Sequence, residues 1–122
     1  LRLRRQGLVG TNPFDALGPM QVDILKGAFN GSTDLELKDF DAAYSQPDVA
    51  VMSRPRKNSA YSTGFLSATG REKIFFNGRT QFRLHFGLDD DNDAGADYMN
   101  FFSGNARRAR DRVILLITYE VP

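Results

Sequence analysis

Apolar and polar residues alternate along this chain in short runs bounded by turn residues, the pattern of strands with one face in a core. The clearest run is Thr80 to Phe86, where Phe82, Leu84 and Phe86 point one way and Gln81, Arg83 and His85 the other. Leu1-Arg2-Leu3-Arg4 alternates from the first residue, and Met20 to Leu25 puts Met20, Val22 and Ile24 on one face. Val49 to Met52, Tyr61 to Phe65 and Ala96 to Phe102 predict further strands. Arg112 to Tyr119, apolar on both faces, predicts a central strand of a sandwich. Between these runs, Gly10-Thr11-Asn12-Pro13 and Gly18-Pro19 mark a loop, Asn30-Gly31 a turn, and Arg54 to Lys57 a solvated basic connection. Thr33-Asp34-Leu35-Glu36 has capping-box spacing ahead of a short helix over Leu37 to Tyr44, with Leu37, Phe40 and Tyr44 as its stripe. Thr69-Gly70-Arg71-Glu72 offers a second capping box, and Asn77-Gly78 either ends a helical turn or makes a tight hairpin. About seven strands with one or two short helical turns predict an all-β fold, an antiparallel, jelly-roll-like β-sandwich, with a barrel as the alternative.

The chain has 122 residues, enough for a single domain around one core and too few for two. No stretch approaches the roughly 18 consecutive apolar residues of a membrane span. A net charge of +1 gives no field that argues for nucleic acid, although Arg2, Arg4 and Arg5, and again Arg107, Arg108, Arg110 and Arg112, form local basic patches. With no cysteine, disulfides, thiolate metal sites and cysteine nucleophiles are excluded, and a single histidine removes most multi-histidine metal sites. There is no internal repeat and no linker, and a chain that opens on Leu1 without an apolar leader reads as a processed product or a fragment.

The most conspicuous chemistry is acidic. Asp89, Asp90, Asp91, Asp93 and Asp97 crowd one loop and repel one another unless solvated or bridged by a cation. Calcium suits such a set, because it takes roughly six to eight oxygen ligands and tolerates irregular loops. The loop is not an EF-hand: its glycine stands one place late relative to Asp89, and Asn100 occupies the position of the closing glutamate. Alternatively the aspartates make Asx turns in a polar connection. The Arg107 to Arg112 run offers guanidinium forks to phosphates or an acidic polysaccharide, or is a solvated loop paired with Asp111 and the acidic loop. Tyr44, Tyr61, Tyr98 and Phe102 can supply a stacking face for sugar rings or pack in the core, and there is no tryptophan to strengthen such a face. Catalysis is poorly supported, with the acidic residues outside the loop scattered rather than paired as a glycosidase needs. No Gly-x-Ser-x-Gly elbow surrounds a serine, no glycine-rich nucleotide loop is present, and His85 stands on the polar face of its strand as a surface histidine.

Several stretches carry a family likeness. They are Arg4-Arg5-Gln6-Gly7-Leu8-Val9-Gly10-Thr11-Asn12-Pro13-Phe14, Val22-Asp23-Ile24, Asp39-Phe40-Asp41-Ala42-Ala43, Thr80-Gln81-Phe82-Arg83-Leu84 and Asp90 through Asn105. In these the chain resembles the C-terminal modules of secreted bacterial proteins of the DNRLRE type, which are similar to alginate-type carbohydrate-binding β-sandwiches. The likeness implies a non-catalytic module. Such modules carry further strands ahead of the position of Leu1, so the chain reads as N-terminally incomplete over 1–122, with an edge open to a partner strand. Ala60 also stands where relatives place an aromatic before the Tyr61-Ser62 pair.

These readings combine into one expectation: a non-enzymatic, extracellular carbohydrate-binding or adhesion module of a larger secreted protein. Its partners would be polysaccharide or a cell-surface glycan, with neither nucleic acid nor membrane. Tyr61, Tyr98, Arg83, His85 and Arg107 are the candidate ligand-binding residues, and Asp89, Asp90, Asp91, Asp93 and Asp97 the candidate ligands of a structural Ca2+. The competing expectation is a structural or assembly subunit whose sheet is completed by a neighbouring copy or an upstream domain. A small glycan lyase or hydrolase ranks last.

Overall fold

A computed structural model of the chain describes residues 1–121. Its strands are β1 (Arg2–Gly10), β2 (Met20–Lys26), β3 (Gln46–Met52), β4 (Tyr61–Thr63), β5 (Thr80–Phe86) and β6 (Asp97–Phe101), with short helices α1 (Pro13–Ala16) and α2 (Ala68–Glu72). They form two three-stranded sheets, ordered β4-β1-β6 and β3-β2-β5, antiparallel throughout. The fold is all-β, and the sheets do not close into a barrel.

Alternation decides which residues meet. Along β2 the inward positions Met20, Val22 and Ile24 are buried and pair with Phe86, Leu84 and Phe82 of β5. Val49, Ala50 and Met52 of β3 join them, and Leu1, Leu3 and Phe101 from the other sheet pack onto this cluster, so the core lies between the sheets. At about 25 cal/mol per Å2 of apolar surface, such aliphatic and aromatic burial is the main source of stability. Phe14 of α1 closes one end, its ring edge-on to Phe86 with centroids 5.2 Å apart. The turn into α1 follows the loop signal of the sequence: Asn12 caps it by accepting from the Phe14 N–H, and Pro13 fills the first helical position. Gly10 has φ +71°, and a Cβ there would lie 1.5 Å from the Ala96 carbonyl oxygen, so the chain passes Ala96 only as glycine.

Two expected elements are absent. The helix over Leu37 to Tyr44 is reduced to a 3₁₀ turn at Leu37–Asp39, closed reciprocally between Glu36 and Asp39. The carbonyls of Asp39, Phe40 and Ala42, which an α-helix would need for its own hydrogen bonds, accept instead from Arg83. Leu37, assigned to the buried stripe, is 89% exposed. The central strand over Arg112 to Tyr119 is also missing. β4 and β6 flank β1 on its two sides, and Ile114 makes a single bridge to Arg2. From Val113 to Val121 the chain runs over the surface with its apolar side chains exposed. The capping boxes shift as well: α2 begins earlier than Thr69 implies, capped by the Ser67 hydroxyl on the Gly70 N–H. Among the described residues no helix is long and apolar enough to cross a membrane.

Candidate functional site

The outward face of β3-β2-β5 carries the most concentrated chemistry. Asp23 points away from the core yet is only 2% exposed, because the loop from Phe29 to Tyr44 folds over it. A buried carboxylate needs partners for both oxygens. Oδ2 accepts from Arg83 Nη2 at 2.7 Å and Nε at 3.0 Å, two charge-assisted bonds converging on one oxygen. Oδ1 accepts from the Asp48 backbone N–H at 3.1 Å and lies 3.4 Å from His85 Nε2. Burial on its own pushes Asp23 up, but the Arg83 hydrogen bonds, the Asp48 N–H and the charge of His85 outweigh it and hold the carboxyl below the ordinary range.

Local chain geometry explains how Asp48 arrives there. Between Val22↔Ala50 and Ile24↔Gln46 the β2–β3 register slips, so β3 bulges at Pro47-Asp48-Val49. Asp48 sits at φ +49°, a conformation aspartate tolerates, and the bulge turns its N–H onto Asp23. Arg83 then binds the loop: beyond Asp23 it reaches three carbonyls and lies 5.0 Å from the Phe29 ring and 5.7 Å from the Tyr44 ring. The guanidinium is thus committed inside the protein. His85 is half-buried beside it rather than a free surface histidine, with Nδ1 3.1 Å from the Phe86 carbonyl oxygen. Above these groups opens a cleft of about 500 Å3, lined by Tyr44, Phe40, Asp41, Asp48, His85 and Asp89 among others. Its wall is predominantly acidic and has an aromatic ring at its side.

The acidic loop divides. Asp91, Asp93 and Asp97 bring carboxylate oxygens within 4.8 Å of one another, whereas Asp89 faces the cleft. Asp90, Asp91 and Asp93 each accept a backbone N–H two residues on, the Asx turns that the alternative reading expects. Asp97 is pushed up, first by desolvation and then by the like charges of Asp91 and Asp93. Its Oδ1 is buried without a hydrogen-bond partner.

The remaining sequence candidates lie on the other sheet or in the loop that follows it. Tyr61 pairs with Arg4 across β4–β1, has that guanidinium 5.7 Å from its ring, and donates its hydroxyl to the Arg110 carbonyl at 2.7 Å. Tyr98 pairs with Val9 on the opposite flank of β1, with its side chain in solvent. Arg107 lies exposed in the loop after β6. Asp111 pairs within the arginine run through Arg110 Nε at 4.0 Å but is buried chiefly against Arg4, and among the described residues the arginine run makes no ion pair with the acidic loop. So the structure joins Arg83 with His85, and separates both from Tyr61, Tyr98 and Arg107. Sequence reasoning missed Asp23 and Asp48. Asp23 carried a signal, a charge between Val22 and Ile24 on a strand buried on its other face; Asp48 carried none, because a bulge has no mark in the alternation.

No family model, no curated protein and no solved structure matches the chain.

Proposed function

We propose that the cleft above β3-β2-β5 binds a neutral glycan, and that the chain is a non-catalytic carbohydrate-recognition module of a larger secreted bacterial protein. One observation carries this reading: an open cleft of about 500 Å3 gathers the Tyr44 ring, His85 and the carboxylates of Asp41, Asp48 and Asp89. That volume suits a ligand of a few sugar rings. Tyr44 offers an apolar face to C–H groups, and the carboxylates accept from hydroxyls. Acidic walls repel uronates and sulfates, so neutral sugars are favoured. His85 and Asp48 take the ligand-contacting part; Arg83 holds the loop that carries Tyr44. A Ca2+ held by Asp91, Asp93 and Asp97 would fix the neighbouring loop. Affinity electrophoresis of the purified chain through neutral and acidic polysaccharides tests the reading: retardation by a neutral class supports it, and retardation by none overturns it.

A second reading, the assembly subunit, is favoured by a different observation. Leu116 is 78%, Tyr119 71% and Val121 79% exposed in an extended segment of strand-forming residues. Light scattering tests it: a mass of several chains that falls to one chain in a Leu116→Lys, Tyr119→Lys variant supports assembly through this segment.

A further inference from the structure

The geometry points to a divalent transition-metal site of zinc type built by Asp23, Asp48 and His85 at the floor of the cleft. This goes beyond the glycan reading and stands whether or not a sugar enters.

His85 is the one histidine of the chain. His85 Nδ1 lies 3.1 Å from the Phe86 carbonyl oxygen, which can only accept, so Nδ1 carries the ring proton. Nε2 faces the Asp23 Oδ1 at 3.4 Å. Such a contact holds either a proton on Nε2 or a cation between the two atoms, and a divalent ion that displaces the proton keeps both as ligands. The separation identifies what fits. Zinc binds nitrogen and carboxylate oxygen at about 2.0–2.2 Å, and a tetrahedron with such bonds spaces its ligand atoms roughly 3.3–3.6 Å apart.

A third ligand is in place. Oxygens of Asp23 and Asp48 and a ring nitrogen of His85 all lie within 4.8 Å of one another. The β3 bulge fixes Asp48 by binding its N–H to Asp23, and Asp48 keeps its carboxylate exposed. The supporting contacts are those a metal site needs. The histidine's far nitrogen is anchored on a carbonyl, and the far oxygen of Asp23 is anchored by Arg83 at 2.7 and 3.0 Å, so both ligands are oriented before an ion arrives. Two carboxylates offset the divalent charge, and all three residues line the cleft, from which a fourth ligand can come.

Because His85 is the sole histidine, its imidazole 15N signals report the site without assignment. Chelator-stripped protein is titrated with zinc sulfate alone, by calorimetry and by 15N–1H spectra of the ring, with no sugar present. The expected result is saturable binding of one zinc per chain and a shift of Nε2, with Nδ1 still protonated. Asp48→Asn and His85→Gln each weaken binding at least tenfold, while Asp93→Asn leaves it unchanged. Both substitutions are at solvent-reaching side chains, and circular dichroism verifies that the variants fold. The proposal is overturned by absence of binding, by zinc binding that survives both variants, by binding lost only in Asp93→Asn, or by a ring whose nitrogens both stay protonated as zinc is added.

Discussion

Replacing Arg83 with methionine should be among the most destabilising single changes on the surface of either sheet. The side chains of Arg83 and Asp23 are 11% and 4% exposed, so solvent screens their pair little. Methionine preserves much of the aliphatic stem but deletes both bonds to Asp23 and the three to the carbonyls of Asp39, Phe40 and Ala42. Asp23 is left as a buried charge with only the Asp48 N–H and His85. Removing one partner of a buried pair costs about 3–5 kcal/mol, a large part of the roughly 5–15 kcal/mol that holds a domain folded. Urea unfolding followed by circular dichroism should show that loss at unchanged m-value, and amide exchange should accelerate over Leu37 to Tyr44. Adding Asp23→Leu removes the orphaned charge and should recover most of the loss. A cost below about 1 kcal/mol for Arg83→Met, or no recovery in the double variant, would refute the view of Arg83 as a buried clamp.

Three other outcomes follow from the structure. Gly10→Ala forces a Cβ to within 1.5 Å of the Ala96 oxygen and strains a residue at φ +71°, so its urea midpoint should fall by the equivalent of at least about 2 kcal/mol, and an unchanged midpoint would be inconsistent with the β1–β6 register. Asp23 is held below its ordinary value of 3.8 in the folded, metal-free protein, so the unfolded chain takes up the proton first as pH falls. The stability it supplies is therefore full above about pH 4 and is lost as pH drops through the folded value; acid titration of the urea midpoint should fall less steeply in the Arg83→Met, Asp23→Leu variant. If calcium binds Asp91, Asp93 and Asp97, millimolar calcium should raise the melting temperature of chelator-treated protein and Asp93→Asn should abolish the rise, whereas equal melts with and without calcium would retire that ion.

How far the sequence discloses this molecule depends on which interactions are local. β5 reads directly, because Phe82, Leu84 and Phe86 alternate with polar residues over its full length, and β2 reads almost as well. The Asx turns of the acidic loop are local too. Leu37 to Tyr44 has a helical stripe, yet its carbonyls are claimed by Arg83 from a distant strand, and no spacing records that competition. Arg112 to Tyr119 has the composition of a core strand, but pairing needs an open flank, and β1 offers it a single bridge at Arg2. The site fails in the same way. Arg83 and His85 stand out as polar partners on one strand, while their meeting with Asp23 and Asp48 depends on the sheet order and on a bulge, both long-range facts.

The central claim is that the cleft, and not the tyrosine-bearing outer face of the other sheet, recognises sugar. Affinity electrophoresis of Tyr44→Ala and Tyr98→Ala beside the unmodified chain, through the neutral polysaccharide that retards it most, tests this most directly. The Tyr44 ring lines the cleft and Tyr98 projects from β6 on the opposite layer. Tyr44→Ala should migrate unretarded, while Tyr98→Ala should be held back as strongly as the unmodified chain. Retardation lost with Tyr98 and kept without Tyr44, or no retardation of any of the three, would contradict it.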